Sequence, residues 1–147
     1  MRIAIGCDPN AQTFKEALMQ YIRELGHECD DFGSTDPVYA NVAIRVAQDV
    51  AQGNYDRGVL VCGTGIGMSI AANKVKGAYA ALVNDVFQAQ RAELSNHANI
   101  ITMGAQVIGI EVAKMMLKEY LGCTFDVHSR SMPKVQQICD YEEGAMR

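Results

Sequence analysis

Gly58-Val59-Leu60-Val61-Cys62-Gly63-Thr64-Gly65-Ile66-Gly67-Met68-Ser69 is the stretch that decides the fold. Gly58–Cys62 is a nearly continuous apolar run, the pattern of a strand covered on both faces. Three alternate glycines across Gly63–Gly67 then separate it from a short helix expected at Met68–Lys74. A strand, a tight loop and a helix in that order form the central unit of an α/β sheet.

Working outward, the same alternation recurs. Strands are expected at Arg2–Gly6, Glu28–Phe32, Ala78–Val83 and Asn99–Met103. Helices are expected at Ala11–Leu25, Tyr39–Gln52, Val86–Leu94, Gly109–Leu121 and Pro133–Glu143, with Gly26 and Gly53 as stops. Phe14, Leu18, Tyr21, Ile22 and Leu25 mark the apolar face of the first helix. The expected fold is a three-layer α/β/α, Rossmann-like domain over residues 1–147 with a five-stranded parallel sheet, its crossovers right-handed and its ligand beyond the carboxyl ends of the strands.

Composition narrows the function. The 147 residues are 49% hydrophobic, enough for one core, and carry a formal charge of −4 without a basic run, which argues against nucleic acid as partner. MRIAIGCDPN turns after five residues, too few for a signal-peptide core, and no apolar stretch has the length of a membrane span. The expected location is the cytoplasm. Five cysteines, Cys7, Cys29, Cys62, Cys123 and Cys139, form no close pair of the zinc or redox type, and Cys7 is placed to border the site. The eight methionines read as flexible core filling.

The glycine loop aims several N–H groups at one spot and should attract an anion. A tight packing turn explains the glycines alone, but a cysteine at the loop's mouth adds a thiol that such surroundings activate as base or nucleophile. A phosphate-binding P-loop needs Gly-Lys-Ser/Thr, and the chain has Gly67-Met68-Ser69. A cysteine phosphatase needs an arginine where Met68 stands. A dinucleotide fold finds a ribose-binding candidate in Asp85, yet the third glycine is misplaced and the loop follows the third strand instead of the first.

Three segments make the pattern specific: Ile3-Ala4-Ile5-Gly6-Cys7-Asp8, then Val61 to Gly67 continuing through Ala71-Ala72-Asn73-Lys74, then Ile101-Thr102-Met103-Gly104 with Val107-Ile108-Gly109. Together they resemble the ribose-5-phosphate isomerase B and galactose-6-phosphate isomerase family over the whole chain. The resemblance implies aldose–ketose isomerisation of a small phosphorylated sugar through a cis-enediolate, with neither metal nor organic cofactor. It also implies a homodimer, or a dimer of dimers, whose active sites are shared between subunits.

By the same resemblance Cys62 is the base that moves the proton, and Thr64 is the catalytic loop hydroxyl. The N–H groups of Gly63, Gly65 and Gly67 match the anion hole, Asp8 holds sugar hydroxyls, and Asn96 belongs to the substrate site. Arg130 and Lys134 match two basic residues that reach the phosphate across the dimer interface.

The chain also departs from the pattern. Ribose-specific members carry His-Asn-Asp-Ala-Asn where this chain has Ser95-Asn96-His97-Ala98-Asn99, so Ser95 replaces the ring-opening histidine. Ser95 and His97 become candidates to line the pocket. Pro9 and Asp36 replace a further histidine and tyrosine. A four-carbon aldose phosphorylated at C4 cannot close the usual hemiacetal ring, so its isomerase needs no ring-opening group. With Ala92-Glu93-Leu94-Ser95-Asn96, Tyr39-Ala40-Asn41 and Thr124-Phe125-Asp126, the chain looks like the branch acting on erythrulose 4-phosphate. The competing classes are ribose- or galactose-phosphate isomerases, a non-catalytic sugar-phosphate sensor and a cofactor-dependent oxidoreductase.

Overall fold

Cys62 closes a strand that is buried along its entire length, Arg57–Cys62, and the sheet is arranged around it. The structure is a computed structural model that describes residues 1–144; residues 145–147 of the expected domain lie outside the described residues. The elements run β1 (Arg2–Cys7), a single 3-10 turn (Pro9–Ala11), α1 (Gln12–Glu24), β2 (Glu28–Asp31), α2 (Tyr39–Ala51) and β3 (Arg57–Cys62). They continue as α3 (Ile66–Ala72), β4 (Ala80–Leu82), α4 (Val86–Leu94), β5 (Ile100–Gly104), α5 (Ile110–Gly122) and α6 (Met132–Glu142). All pairings are parallel, in the order β2-β1-β3-β5-β4.

Alternation along the strands divides the core in two. Ile3, Ile5, Val59, Val61, Ile101 and Met103 pack against α1, α4 and α5. Ala4, Leu60, Cys62 and Ile100 pack against α2 and α3 on the opposite face. The expected three-layer, five-stranded Rossmann-like fold is therefore the observed one. Between β1 and β3 the chain leaves the sheet in opposite directions, which opens a crevice at their carboxyl ends. Asp8 and the Cys62 loop flank it: Asp8 N–H donates to the Val61 carbonyl at 3.0 Å.

Two elements differ from expectation by more than one residue. The helix after β3 starts at Ile66, two residues before Met68, because the chain turns fully at Gly65 (φ +80°). The strand expected at Ala78–Val83 shortens to Ala80–Leu82, since Ala78 N–H closes a turn onto the Val75 carbonyl. Among the described residues no helix is long and apolar enough to cross a membrane.

The buried face of α1 also departs from its apolar reading. Lys15 and Met19 are buried with Leu18 and Ile22, and Tyr21 lies at its edge. Lys15 is 1% exposed, and its Nζ donates to Asp31 Oδ1 at 2.6 Å. Burial works against ionisation of Asp31, yet the Lys15 and Gly33 donors outweigh it and hold the carboxyl below its usual range.

Asp31→Asn should lower the unfolding free energy at pH 7 by about 1–3 kcal/mol, towards the lower end because the carboxylate is half exposed. The folded carboxyl titrates below the ordinary value of 3.8, so this contribution is complete above 3.8 and fades as pH falls through the lower folded value. Urea titrations of both proteins should converge in acid; a constant gap across that range would contradict the assignment.

Candidate functional site

The backbone at Gly65 determines what Cys62 meets. Its left-handed conformation turns the Gly65 N–H back onto Cys62 Sγ at 3.0 Å. A Cβ at Gly65 would stand 2.8 Å from the Met103 carbonyl carbon, so only glycine fits. Thr102 Oγ1 donates to the Gly65 carbonyl at 2.9 Å, and Ala105 and Gln106 N–H donate to the carbonyls of Cys62 and Gly63. The loop is thus tied to β5 and the segment just after it through its carbonyl groups, while the N–H groups of Gly63, Thr64 and Gly67 have no partner among the described residues.

Of the three glycine N–H groups expected to form an anion hole, two remain available with that of Thr64. The third, on Gly65, donates to the thiol. Cys62, Gly63, Thr64 and Gly67 line a cleft of about 210 Å³ together with Asp8 and Tyr39. Cys62 is 6% exposed, whereas Thr64 lies at the surface with Oγ1 accepting from Ile66 N–H at 3.3 Å. Asp8 accepts from Asn10 N–H at 2.7 Å through one oxygen, so it caps a turn and borders the cleft at once.

Tyr39 was not legible as a site residue. It opens α2, and its hydroxyl lies where a side chain at position 67 would go, which explains Gly67 as clearance for a phenol. Gln106, on the loop after β5, was missed too: its amide lies over Gly63. Neither belongs to the glycine motif, so only the tertiary fold brings them there. Cys7 does not border the cleft. It ends β1 on the α1 side of the sheet, where burial raises its thiol to about 11. Burial likewise raises Cys29 to about 11.

The remaining expected residues gather elsewhere. Arg91, Ser95, Asn96, Arg130 and Lys134 line a second cleft of about 410 Å³. Arg91, unlike the other four, was not anticipated. Asn96 Nδ2 donates to the Arg91 carbonyl at 2.9 Å at the end of α4, and Ser95 Oγ accepts from Arg91 Nη1 at 3.3 Å. Pro133 sits in the first turn of α6, where its missing N–H costs nothing, and so Arg130 before the helix and Lys134 inside it reach one cleft. His97 stands outside. Its backbone is left-handed (φ 51°), its Nδ1 lies 3.5 Å from Glu93, and its ring rests on Phe125 with centroids 4.7 Å apart.

A buried ion pair holds this second cleft. Arg57 Nη2 lies 3.3 Å from Glu93 Oε1, with both side chains under 10% exposed. Arg57 also donates to the carbonyls of Tyr120 and Cys123, and Glu93 accepts from Phe125 N–H at 2.9 Å. These bonds fasten the α5–α6 connection, which carries Arg130, to α4, whose carboxyl end leads directly into Ser95 and Asn96.

The two clefts lie at opposite ends of the sheet. Gly58 N–H donates to the Asn99 carbonyl, so Asn99 is level with the start of β3. Cys62 stands four residues further along, about 13 Å at the usual strand rise of about 3.3 Å. Only the Cys62 half obeys the rule that ligands bind beyond the carboxyl ends. Among the described residues no group of three His, Cys, Asp or Glu is placed to hold a metal ion.

Comparison with known proteins connects both halves to one family. The ribose/galactose isomerase family model matches residues 3–138. The chain is 44% identical to D-erythrulose-4-phosphate isomerase 2 of Mycolicibacterium smegmatis, covering 97% of each chain. It is 45% identical to ribose-5-P isomerase B of Listeria innocua, covering 97% of this chain and 98% of that one. The structure of type B ribose 5-phosphate isomerase from Trypanosoma cruzi superposes with a TM-score of 0.93 at 36% identity, over 98% of this chain and 99% of the other.

Arg57→Met should cost about 3–5 kcal/mol of unfolding free energy by leaving Glu93 buried without its partner. In urea titrations the Arg57→Met/Glu93→Leu pair should recover much of that loss. Additive losses would show that the two side chains are not coupled.

Proposed function

Since the chain belongs to the ribose/galactose isomerase family, we propose that it interconverts erythrulose 4-phosphate and erythrose 4-phosphate, with Cys62 carrying the proton. The reaction class is that of the family: the chain is an aldose–ketose isomerase of phosphorylated sugars. The observation that supports Cys62 as the base is its sulfur, the acceptor of the Gly65 N–H, at the floor of a cleft rimmed by unpartnered N–H groups.

In this reading the thiolate takes a proton from C1 of the ketose while the C2 oxygen is protonated, and the O1 hydroxyl proton is given up to complete the enediol exchange. Returning the carbon proton from sulfur to C2 then leaves the aldehyde at C1, with no atom gained or lost. Negative charge develops on the enediolate oxygens, and donors waiting at that point lower the barrier without reorganising. The N–H groups of Gly63, Thr64 and Gly67 fill this role. The Thr64 hydroxyl relays a proton between the two oxygens, and Asp8 holds the sugar hydroxyls, with Tyr39 beside it.

Asn96, Arg130 and Lys134 bind the phosphate from a second copy of the chain. Support for sharing comes from distance: a four-carbon sugar phosphate cannot touch Cys62 and Arg130 of one chain when their clefts lie at opposite ends of the sheet. A homodimer, alone or paired into a dimer of dimers, brings the cysteine cleft of one copy to the basic cleft of the other. The open-chain substrate is favoured by Ser95. A serine bound to Arg91 offers no general acid for opening a ring, and a C4-phosphorylated tetrose has no ring to open.

Cys62→Ala should cut turnover by about 10²–10⁴-fold, the range for a lost acid–base group, and abolish solvent-proton exchange at the substrate carbon with the fold intact. Near-normal exchange would remove Cys62 from the mechanism. Mixing Cys62→Ala with Arg130→Ala, each inactive alone, should restore roughly a quarter of wild-type turnover, because half the dimers of a random mixture hold one intact site. No recovery after subunit exchange would place both halves in one chain. Erythrulose 4-phosphate, ribose 5-phosphate and galactose 6-phosphate compared on one sample should rank in that order by kcat/KM; a strong preference for ribose 5-phosphate would defeat the tetrose assignment.

A further inference from the structure

We infer that Arg91 is a third cationic phosphate-binding residue beside Arg130 and Lys134, oriented by Ser95, which makes the basic cleft a reader of the dianion through two guanidinium groups and one ammonium. For the identity of the molecule that carries the phosphate, this rests on the isomerase reading above. The cleft itself supplies the rest.

Arg91 is held in an incomplete set of bonds. Nη1 donates to Ser95 Oγ at 3.3 Å and Nη2 to Gln90 Oε1 at 3.2 Å, both neutral acceptors. Its Nε is buried with no hydrogen-bond partner, the one such side-chain atom among the described residues. Buried donors are nearly always satisfied, so one left open beside a cleft marks a group waiting for an acceptor. Arg91 Cζ lies over the Phe87 ring, 5.7 Å from its centroid, a contact that limits the freedom of the guanidinium to swing away.

Charge supports the same assignment. Arg91, Arg130 and Lys134 form no ion pair among the described residues, and no carboxylate lines their cleft. Glu93, two residues from Arg91 on α4, is turned into the core and is already matched by Arg57. Three uncompensated cations in a concave site of a chain whose formal charge is −4 concentrate anions there. The hydroxyls of Ser95, Ser129 and Ser131 line the cleft and add donors. A guanidinium fork addresses two phosphate oxygens at once, which an ammonium cannot do.

The test titrates inorganic phosphate against the thermal stability of wild type, Arg91→Leu and Arg91→Lys, since a ligand at free concentration L raises stability by RT ln(1 + L/Kd), so the concentration at which the melting temperature begins to climb reports Kd. Arg91→Leu should keep its melting temperature without phosphate yet bind phosphate about 10- to 100-fold more weakly, the range for a lost charge-assisted hydrogen bond. Arg91→Lys should recover only part. With erythrulose 4-phosphate, KM should rise by a similar factor while kcat stays within about threefold, and inhibition by unphosphorylated erythrulose should not change. Unchanged phosphate affinity in a folded Arg91→Leu protein overturns the assignment. Should that variant not fold, wild-type affinity in Arg91→Lys overturns it instead. The phosphate titration needs no turnover, so it decides on Arg91 even if erythrulose 4-phosphate proves not to be the substrate.

Discussion

The hydrogen bond from Gly65 N–H to Cys62 Sγ depends on a backbone that turns through φ +80°, and much of the carboxyl end of the sheet follows from that turn. It starts α3 earlier than the apolar pattern suggests, and it leaves the N–H groups of Gly63, Thr64 and Gly67 open to the crevice. It also requires close contact with β5, because the Gly65 carbonyl must receive Thr102 Oγ1. A polar threonine buried in a central strand is costly without a partner, and this loop provides one. The interior position of Thr102 and the glycine at 65 are two sides of one arrangement.

β3 couples that end of the molecule to the other. Its last residue is Cys62 and its first is Arg57, whose guanidinium holds Glu93 and the α5–α6 connection. One six-residue strand, buried throughout, therefore sets the separation and relative orientation of the cysteine cleft and the basic cleft. A buried strand flanked by four others has little freedom to bend. In a symmetric pair of chains this rigidity would fix how far the phosphate of a bound sugar stands from the carbon that loses its proton, and hence which chain length reacts.

How legible this was depended on whether a feature was local. The strand–loop–helix at 58–69, the alternation of elements and the positions of Asp8, Cys62 and Thr64 follow from short-range patterns, and they met at one crevice because parallel strands end on one side. Arg130 and Lys134 were legible as a pair, since α6 starts between them. Lys15, Arg57 and Glu93 were not: hydropathy assigns charged residues to the surface, whereas each is buried here against a partner distant in sequence. Tyr39, Gln106 and Arg91 were missed for a related reason, because each reaches its cleft from an element outside the motif. His97 drew notice for its chemistry, yet a left-handed backbone and a contact with Phe125 direct it away from the cleft.

The exchange of histidine for serine at position 95 bears on chemistry in two ways that reinforce each other. In the proposed reading, the lack of an imidazole there removes a proton donor for a cyclic sugar, which suits substrates already open. The short hydroxyl left behind accepts from Arg91, bringing a guanidinium to the wall of the basic cleft. Sequence identity does not separate these substrates, since relatives named for the four-carbon and five-carbon sugars match at 44% and 45%. In the proposed reading residue 95 is what distinguishes them, because the five-carbon substrate needs a ring opened and the four-carbon one has no ring to open.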